Sequence, residues 1–281
     1  MDAERIDLHT HSHHSDGVLG PAALVELAHQ RAVSLLALTD HDTTAGGAEA
    51  AAACERHAIR FVPGVELTAQ WRGREIHVVG LGIDATDAGL AAHLADVAQR
   101  RRQRLQAIGA RLARAGLDGA GIAAAIAERK PTPTRTDVAR ELVQRGIARA
   151  LDEAFERWLG HGRPGYAPFD WPELGPAVER VVRAGGQAVL AHPHRYRFSN
   201  GVLRELCAAF REAGGTGLEV SLAGMGPGDA SRAASLARRC QLAGSIGSDF
   251  HEPGLPWRPL GRFAKLPDGV QPMTERLGLR T

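Results

Sequence analysis

The chain has 281 residues, enough for one large domain or for a core with an insertion. Apolar residues make up 44% and charged residues 23%, as in an ordinary globular chain, and the formal net charge of +2 gives no bulk field that would demand a nucleic-acid partner. Only Lys130 and Lys265 are lysines, and the remaining basic residues are arginine. The Ala-rich composition points to base composition as the cause, although arginine also clamps phosphate better than lysine. Cys54, Cys207 and Cys240 lie far apart with no CxxC pair, which argues against a cysteine zinc site and fits reduced thiols in the cytoplasm. No apolar run approaches the roughly 18 residues of a membrane helix, and no secretory leader is expected.

Taken in order, the pattern predicts strand over Arg5–His9, helix over Pro21–Ala32 with proline in its first turn, and strand over Ser34–Thr39. An Ala-rich helix is expected over Thr44–His57. Strands are expected over Ile59–Val65 and Glu75–Leu81, with Trp71-Arg72-Gly73 as a hairpin-like turn between them. The pattern then changes. One long helix is predicted from Asp87 to about Arg114, because Leu90, Leu94, Val97, Leu105, Ile108 and Leu112 recur at three- and four-residue spacing. Shorter helices follow near Gly119–Glu128, Thr136–Arg145 and Leu151–Leu159, and no strand is expected from about 88 to 165. This reads as a helical insertion. Alternation resumes with helices Pro172–Ala184, Gly201–Ala213 and Gly228–Cys240, and strands Gln187–Ala191, Thr216–Val220 and Ala243–Gly247. The proline-rich tail reads as irregular, with at most one short strand. Repeated βα units suggest a parallel sheet, closed or open.

Metal-ligating side chains recur at the ends of these strands. His9 and His11 stand two apart, so in a strand both rings project to one face, and Asp16 follows a few residues later. Asp40 and His41 follow the second strand, and Glu66 follows the third in Pro63-Gly-Val-Glu. His77 lies in Glu75-Ile-His-Val-Val. His192 follows the fifth in Ala191-His-Pro-His-Arg, and Asp249 and His251 follow the last in Ser248-Asp-Phe-His. Carboxyl ends of parallel strands lie on one side of an α/β fold, so distant residues would converge. A lone histidine after a strand is ordinarily a polar loop residue, and Asp42 before Thr43-Thr44 reads as a helix N-cap. His29, His57, His93 and His161 fall outside the pattern. Six histidines and three carboxylates in corresponding places are a different matter. They are too many for one ion, and they give room for two or three. Mixed imidazole and carboxylate ligands suit zinc, manganese or iron(II) better than calcium or magnesium.

The ordered motifs Asp7-Leu-His-Thr-His-Ser-x-x-Ser-Asp-Gly, Thr39-Asp-His-Asp, Pro63-Gly-Val-Glu, Ala191-His-Pro and Ser248-Asp-x-His resemble the PHP (polymerase and histidinol phosphatase) metallohydrolases. The resemblance implies an α/β fold, a distorted (β/α)7 barrel, with a trinuclear centre at the strand ends. The barrel would comprise residues 1–87 and 166–281, and residues 88–165 would form an inserted helical cap. One ion would take His9, His11, Glu66 and Asp249. A second would take Glu66, His77 and His192, and a third Asp16, His41 and His251. The implied cofactors are two to three divalent ions (manganese, zinc or iron).

Thr134-Arg-Thr-Asp-Val-Ala-Arg, Trp158-Leu-Gly-His-Gly-Arg-Pro-Gly-Tyr and Ala191-His-Pro-His-Arg-Tyr resemble the branch of 3′,5′-nucleoside bisphosphate phosphatases and 5′-3′ exoribonucleases. Two departures stand out: the branch often has His where this chain has Asp137, and Gly where it has His194. The implied reaction is in-line attack of metal-activated hydroxide on a phosphate monoester of a small bisphosphorylated nucleotide, in the cytoplasm and away from any membrane. The alternative substrate is short 5′-phosphorylated RNA. Arg135 and Arg195 would clamp phosphate, His194 would serve as general acid or substrate contact, and Tyr166 would stack on a base. Asp40 would orient a ligand imidazole. The run Arg100-Arg101-Arg102 with Arg104 reads as a solvated helix face. A histidinol-phosphate phosphatase, an amidohydrolase acting on C–N bonds and a non-catalytic metal-stabilised module are weaker alternatives.

Overall fold

The computed structural model describes residues 5–254 and 258–279, so positions 255–257 and the end of the proline-rich tail lie outside the described residues. The chain divides into two compact units: one runs to His93 and resumes at Pro172, and the other spans Leu94–Trp171.

The first unit is a seven-stranded sheet in sequential order: β1 (Ile6–Asp7), β2 (Leu35–Leu38), β3 (Arg60–Trp71), β4 (Arg74–Leu81), β5 (Gln187–Leu190), β6 (Gly217–Leu222) and β7 (Ala243–Gly247). Continuations of β1 and β7 nearly close it into a barrel: Leu8 N donates to Ile246 O at 3.1 Å and His11 N to Phe250 O at 2.9 Å. Helices α1 (Pro21–Gln30) and α2 (Gly47–Arg56) pack outside β2. Alternate residues of β2 face opposite layers, as a pleated strand requires. Leu35 and Ala37 join Leu8, Val62, Val79 and Val189 in one buried cluster, while Leu36 and Leu38 join Leu24, Val25, Ala50 and Phe250 in another.

The sheet is mixed, which corrects the parallel expectation. β4 runs antiparallel to both β3 and β5, and the other neighbouring pairs are parallel. The cause is the turn. Arg72 and Gly73 have φ of +50° and +69°, a two-residue reversal whose twist matches a hairpin, whereas a parallel return needs a crossover of a dozen residues or more. The irregular tail ends in a short helix, α10 (Met273–Arg276), with one isolated bridge from Pro272 to Gly244.

Helix α3 (Ala88–Arg114) starts where Asp87 caps it, its carboxylate accepting from Leu90 N at 2.7 Å. The second unit holds most of α3 with α4 (Gly119–Arg129), α5 (Arg135–Gln144) and α6 (Leu151–Ala154), which runs into a π turn, Phe155–Leu159. Its core gathers Leu105, Ile108, Leu112, Ile122, Ile126, Val138 and Leu142. The arginine run is not uniformly solvated. Arg101 and Arg104 are only 6% and 8% exposed, with guanidinium carbons 5.4 and 5.1 Å from the Trp171 ring centroid. Their aliphatic stems and planar heads suit an aromatic face. The remaining helices, α7 (Leu174–Arg183), α8 (Asn200–Glu212) and α9 (Pro227–Cys240), return to the first unit. No helix among the described residues is long and apolar enough to cross a membrane.

Candidate metal centre

His9 and His11 lie past the short β1 but stay extended, because Thr10 between them is tied to β2 and its continuation while a bridge to Phe250 holds the other edge. The Thr10 hydroxyl donates to Ala37 O at 2.6 Å, and its carbonyl accepts from Thr39 N at 2.9 Å. The two rings therefore face the same way, with Nε2 atoms 3.1 Å apart. Asp16 sits on a tight loop that Asp40 pins. The Asp40 carboxylate accepts from Ser12 N, Ser12 Oγ and Ser15 Oγ at 2.6–2.7 Å. Asp40 therefore reaches no ligand ring directly: Ser15 Oγ, 3.4 Å from His11 Nδ1, stands between. The loop leaves no room beside Gly17, where a Cβ would come within 2.4 Å of His11 O.

Glu66 lies inside β3 rather than after it, and His77 near the start of the reversed β4. The reversal brings His77 to the end of the barrel where the other strands finish. His41 follows β2 and bridges to Glu66. His192 and Asp249 take left-handed backbones, with φ of +30° and +50°, immediately beyond β5 and β7. Non-glycine residues in this region are uncommon, and strain of this kind clusters at functional sites.

These nine side chains come together around Glu66. Its Oε2 stands 3.2 Å from His9 Nε2, 3.3 Å from His11 Nε2 and 3.1 Å from His41 Nδ1. Its Oε1 stands 2.9 Å from His77 Nδ1 and 3.0 Å from His192 Nε2. Asp249 Oδ1 lies 3.2 Å from His11 Nε2, and Asp16 Oδ1 lies 3.1 Å from His251 Nε2 and 3.8 Å from His41 Nε2. Glu66 Oε2 and His41 Nδ1 are buried and face one another without forming a hydrogen bond. Two donors about 2.1 Å from one ion, at tetrahedral to octahedral angles, stand about 3.0–3.4 Å apart, which is the spacing seen here. Donor atoms converge in three groups able to hold an ion: His9, His11, Glu66 and Asp249; His41, Glu66 and His77; and His11, Asp16, His41 and His251. His192 meets the second group through Glu66 Oε1.

Burial opposes charge in this cluster, and the balance against facing partners differs from residue to residue. Burial would raise Asp16, Glu66 and Asp249, yet the surrounding imidazoles, joined at Asp249 by Arg195, hold all three well below the usual carboxylate range. Burial would depress His11 and His77, yet Asp249 and Glu66 lift His11 to about 9, and Glu66 and Glu75 lift His77 to about 10. For His41 and His192 burial prevails, and they fall to about 3 and about 4.

Glu219, on β6, is a residue the motif reading missed. Its Oε1 is 2.6 Å from His9 Nδ1, and its Oε2 accepts from His192 N at 2.6 Å. This fixes the Nδ1 proton and aims His9 Nε2 at the cluster. The available signal was a single acid inside a short buried strand. Tyr196 was missed too: its hydroxyl accepts from His77 N at 3.0 Å and donates to Ala191 O at 2.8 Å. Asp42 is not a helix cap, because α2 starts only at Gly47. It accepts from Thr68 N and Thr68 Oγ1, both at 2.7 Å, and so ties the end of β2 to β3.

Arg195 pairs with Asp249 Oδ2, and Arg258, another missed residue, approaches the same oxygen at 3.3 Å. His194 is half-buried, its Nδ1 has no hydrogen-bond partner among the described residues, and burial together with Arg195 lowers its pKa. Arg135 and Tyr166 belong to the second unit. Arg135 opens α5, whose N-terminus is closed by a capping box: Thr134 Oγ1 accepts from Asp137 N, and the Asp137 carboxylate accepts from Thr134 N at 2.8 Å. The departure at Asp137 thus serves helix capping. The Tyr166 ring lies against His161, with centroids 4.9 Å apart.

The PHP domain model matches residues 7–119. The chain is 41% identical to a 3′,5′-nucleoside bisphosphate phosphatase of Chromobacterium violaceum over 98% of this chain and 97% of that one. It is 42% identical to the 5′-3′ exoribonuclease Rnm of Escherichia coli over 94% and 91% of the two chains. A solved structure of an amidohydrolase from Chromobacterium violaceum, with bound sulfate and no metal, superposes with a TM-score of 0.92 at 40% identity, covering 98% of this chain and 96% of that one. Likeness at this level, running nearly end to end, makes this chain a member of the PHP family.

Proposed function

We propose that the protein is a metal-dependent phosphoesterase that removes a phosphate from a 3′,5′-bisphosphorylated nucleotide, such as 3′-phosphoadenosine 5′-phosphate, to leave a nucleoside monophosphate. The observation that carries this reading is the convergence of five imidazole nitrogens on the two oxygens of Glu66. The donor set fits two to three divalent ions of the manganese, zinc or iron(II) class, held by His9, His11, Glu66 and Asp249, by Glu66, His77 and His192 with His41 at hand, and by Asp16, His41 and His251. Bound there, such ions supply a nucleophile from water at neutral pH and neutralise charge on phosphoryl oxygens.

The remaining work falls to side chains. Water attacks phosphorus as the P–O bond to the ribose oxygen breaks; the ribose oxygen leaves and takes up a proton, the attacking water gives one up, and inorganic phosphate and a nucleoside monophosphate are the products. Arg195 offers its planar fork to the non-bridging oxygens, and its pairing with Asp249 holds it beside the ligand set. Burial and the neighbouring Arg195 lower the His194 pKa, and its Nδ1 has no hydrogen-bond partner among the described residues, which favours a hydrogen-bonding contact to substrate over a general-acid role. Asp40 positions the Asp16 loop through Ser12 and Ser15. Arg135 and Tyr166 are proposed phosphate and base contacts on the sequence argument alone.

Near-equal identity to a bisphosphate phosphatase and to an exoribonuclease favours a second reading, stepwise hydrolysis of short 5′-phosphorylated RNA by the same centre. The test is phosphate release by manganese-loaded protein from 3′-phosphoadenosine 5′-phosphate, with AMP and a 5′-phosphorylated pentaribonucleotide in parallel. Release from the bisphosphate but not from AMP supports the first reading. Stepwise shortening of the RNA makes the second primary. Turnover of neither, with metals verified bound, overturns both.

A further inference from the structure

Outside the metal centre, the first unit carries a cleft of about 320 Å³ along the groove between α8 and α9. Its walls present three exposed arginines: Arg204 from α8, and Arg232 and Arg239 from α9. Ser231 and Ser235 add hydroxyls at i and i+4 on the same face of α9, and Leu203 and Leu236 form an aliphatic floor. A row of donors along a helix suits a repeating anion better than a single one.

The groove begins beside the catalytic residues. The short turn Pro193–Tyr196 directly follows the ligand His192, and its His194 lines a smaller cavity with Arg197 and Phe198. Leu203, Arg232 and Leu236 line both cavities, so the two adjoin. The N-terminal turns of α8 and α9, at Asn200 and Gly228, also face the cleft, and their partial positive charge adds to that of the arginines. One acid opposes them: Asp229, at the mouth, stands 3.5 Å from Arg232. Phe198 at the mouth packs against Trp71 and Tyr196 and carries the Arg74 guanidinium 5.3 Å from its ring centroid, which adds a further cation where the groove begins, and a basic track is how proteins follow a single-stranded nucleic-acid backbone without reading its sequence.

We infer that the α8–α9 groove carries the phosphodiester backbone of a short single-stranded RNA whose 5′ end lies at the metal centre. Arg204, Arg232 and Arg239 follow the phosphates downstream of the entrance. The inference rests on the nucleotide phosphoesterase reading and extends it to the strand beyond the reacting nucleotide. It also accounts for one centre serving two substrates, since a mononucleotide never reaches the groove.

The experiment compares wild-type protein with Arg204→Ser/Arg239→Ser and Arg204→Lys/Arg239→Lys. Binding of 5′-phosphorylated, 3′-labelled di- and decaribonucleotides is read by fluorescence anisotropy in EDTA across a salt series, and turnover of 3′-phosphoadenosine 5′-phosphate is measured with manganese. The serine variant should bind the decamer about 5- to 30-fold more weakly, leave dinucleotide binding unchanged, and lower the slope of log affinity against log salt by about 1.4, or about 0.7 for each phosphate no longer neutralised. The lysine variant should keep the slope, and all three proteins should hydrolyse the bisphosphate alike. Unchanged decamer affinity in the serine variant would overturn the assignment. So would displacement of the decamer from wild-type protein by poly-aspartate as readily as by unlabelled RNA, which would mark a general polyanion surface. Length-dependent, arginine-dependent binding without turnover of any substrate would leave the groove standing and remove the proposed chemistry instead.

Discussion

Replacing Glu219 by glutamine tests whether a buried carboxylate outside the ligand set governs the metal centre. The carboxylate accepts two bonds of 2.6 Å, from His9 Nδ1 and from His192 N. An amide has one acceptor oxygen. Because a backbone N–H can only donate, that oxygen goes to His192, and the amide N–H₂ then confronts His9 Nδ1. The ring must accept there, which moves its proton to Nε2, the atom that stands 3.1 Å from His11 Nε2 and 3.2 Å from Glu66 Oε2. The opposite orientation sets the amide donors against the buried N–H of His192, at a cost of about 1–3 kcal/mol. Either way His9 is a poorer ligand, and loss of such a partner weakens metal binding about 10- to 100-fold, or about 1.4–2.7 kcal/mol. The assay is competition for zinc and for manganese with a chromophoric chelator, with cooperative melting in EDTA as the fold control. A folded variant that binds both ions with wild-type constants would refute the tautomer argument.

Asp42→Ala should destabilise the protein in thermal melts by about 1–3 kcal/mol for the orphaned Thr68 N–H and about 1–2 kcal/mol for alanine at a left-handed backbone, whereas Asp42→Asn, which retains both bonds to Thr68, should be nearly neutral. Metal-free protein should lose thermal stability as pH rises from 6.5 to 10: His11 and His77 titrate at about 9 and about 10 when folded, above the ordinary 6.5, so the stability they contribute is full below 6.5 and lost through their folded values. His41 and His192, lowered to about 3 and about 4, act in the opposite sense and only as pH falls below 6.5, so melting in EDTA should be highest near 6.5 and that of the metal-loaded protein flatter on the alkaline side. Gly17→Ala should cost about 1–3 kcal/mol and weaken metal binding at Asp16, because its Cβ meets backbone that cannot give way; wild-type melting would refute the close approach. By elemental analysis after dialysis, Glu66→Gln should lose more bound metal than Asp16→Asn, since Glu66 belongs to two of the donor groups and Asp16 to one.

The convergence of the candidate ligands was legible because each lies in a short motif beside an apolar run, and local spacing is enough to place them at or near strand ends. What failed was non-local. Glu219 acts on His9 across 210 residues of sequence, and no motif around it announces that partner. Asp42 resembled a helix cap because Thr43-Thr44 follow it, whereas its partner Thr68 lies 26 residues on. Arg101 and Arg104 look like members of a solvated run until Trp171, far along the chain, covers them. Strand direction was legible at the β3–β4 hairpin but not for the sheet as a whole, because buried parallel and antiparallel strands share the same apolar pattern and only the length of the connection separates them. The two-residue turn at Arg72-Gly73 carried that information.

The reversed strand is what completes the centre. In an all-parallel barrel every strand offers side chains from its carboxyl end, so adjacent strands compete for the same rim. In the β3–β4 hairpin Thr68 pairs with His77 and Glu66 with Val79, and residues opposite one another across an antiparallel pair share a face. Glu66 and His77 are therefore diagonal neighbours on one face, near enough for Nδ1 and Oε1 to meet at 2.9 Å. Glu66 is held from its other edge as well, since its N donates to Asp40 O at 3.1 Å and its O accepts from Asp42 N at 2.9 Å. The residue on which five imidazoles converge is thus tied by its own backbone to the end of β2, in a strand whose other edge pairs with β4, while most of its partners arrive from loops. A slip of one residue in the hairpin would turn His77 to the opposite face and take it away from Glu66. The turn at Arg72-Gly73 sets that register, so two residues remote from the chemistry decide whether the second donor group forms at all.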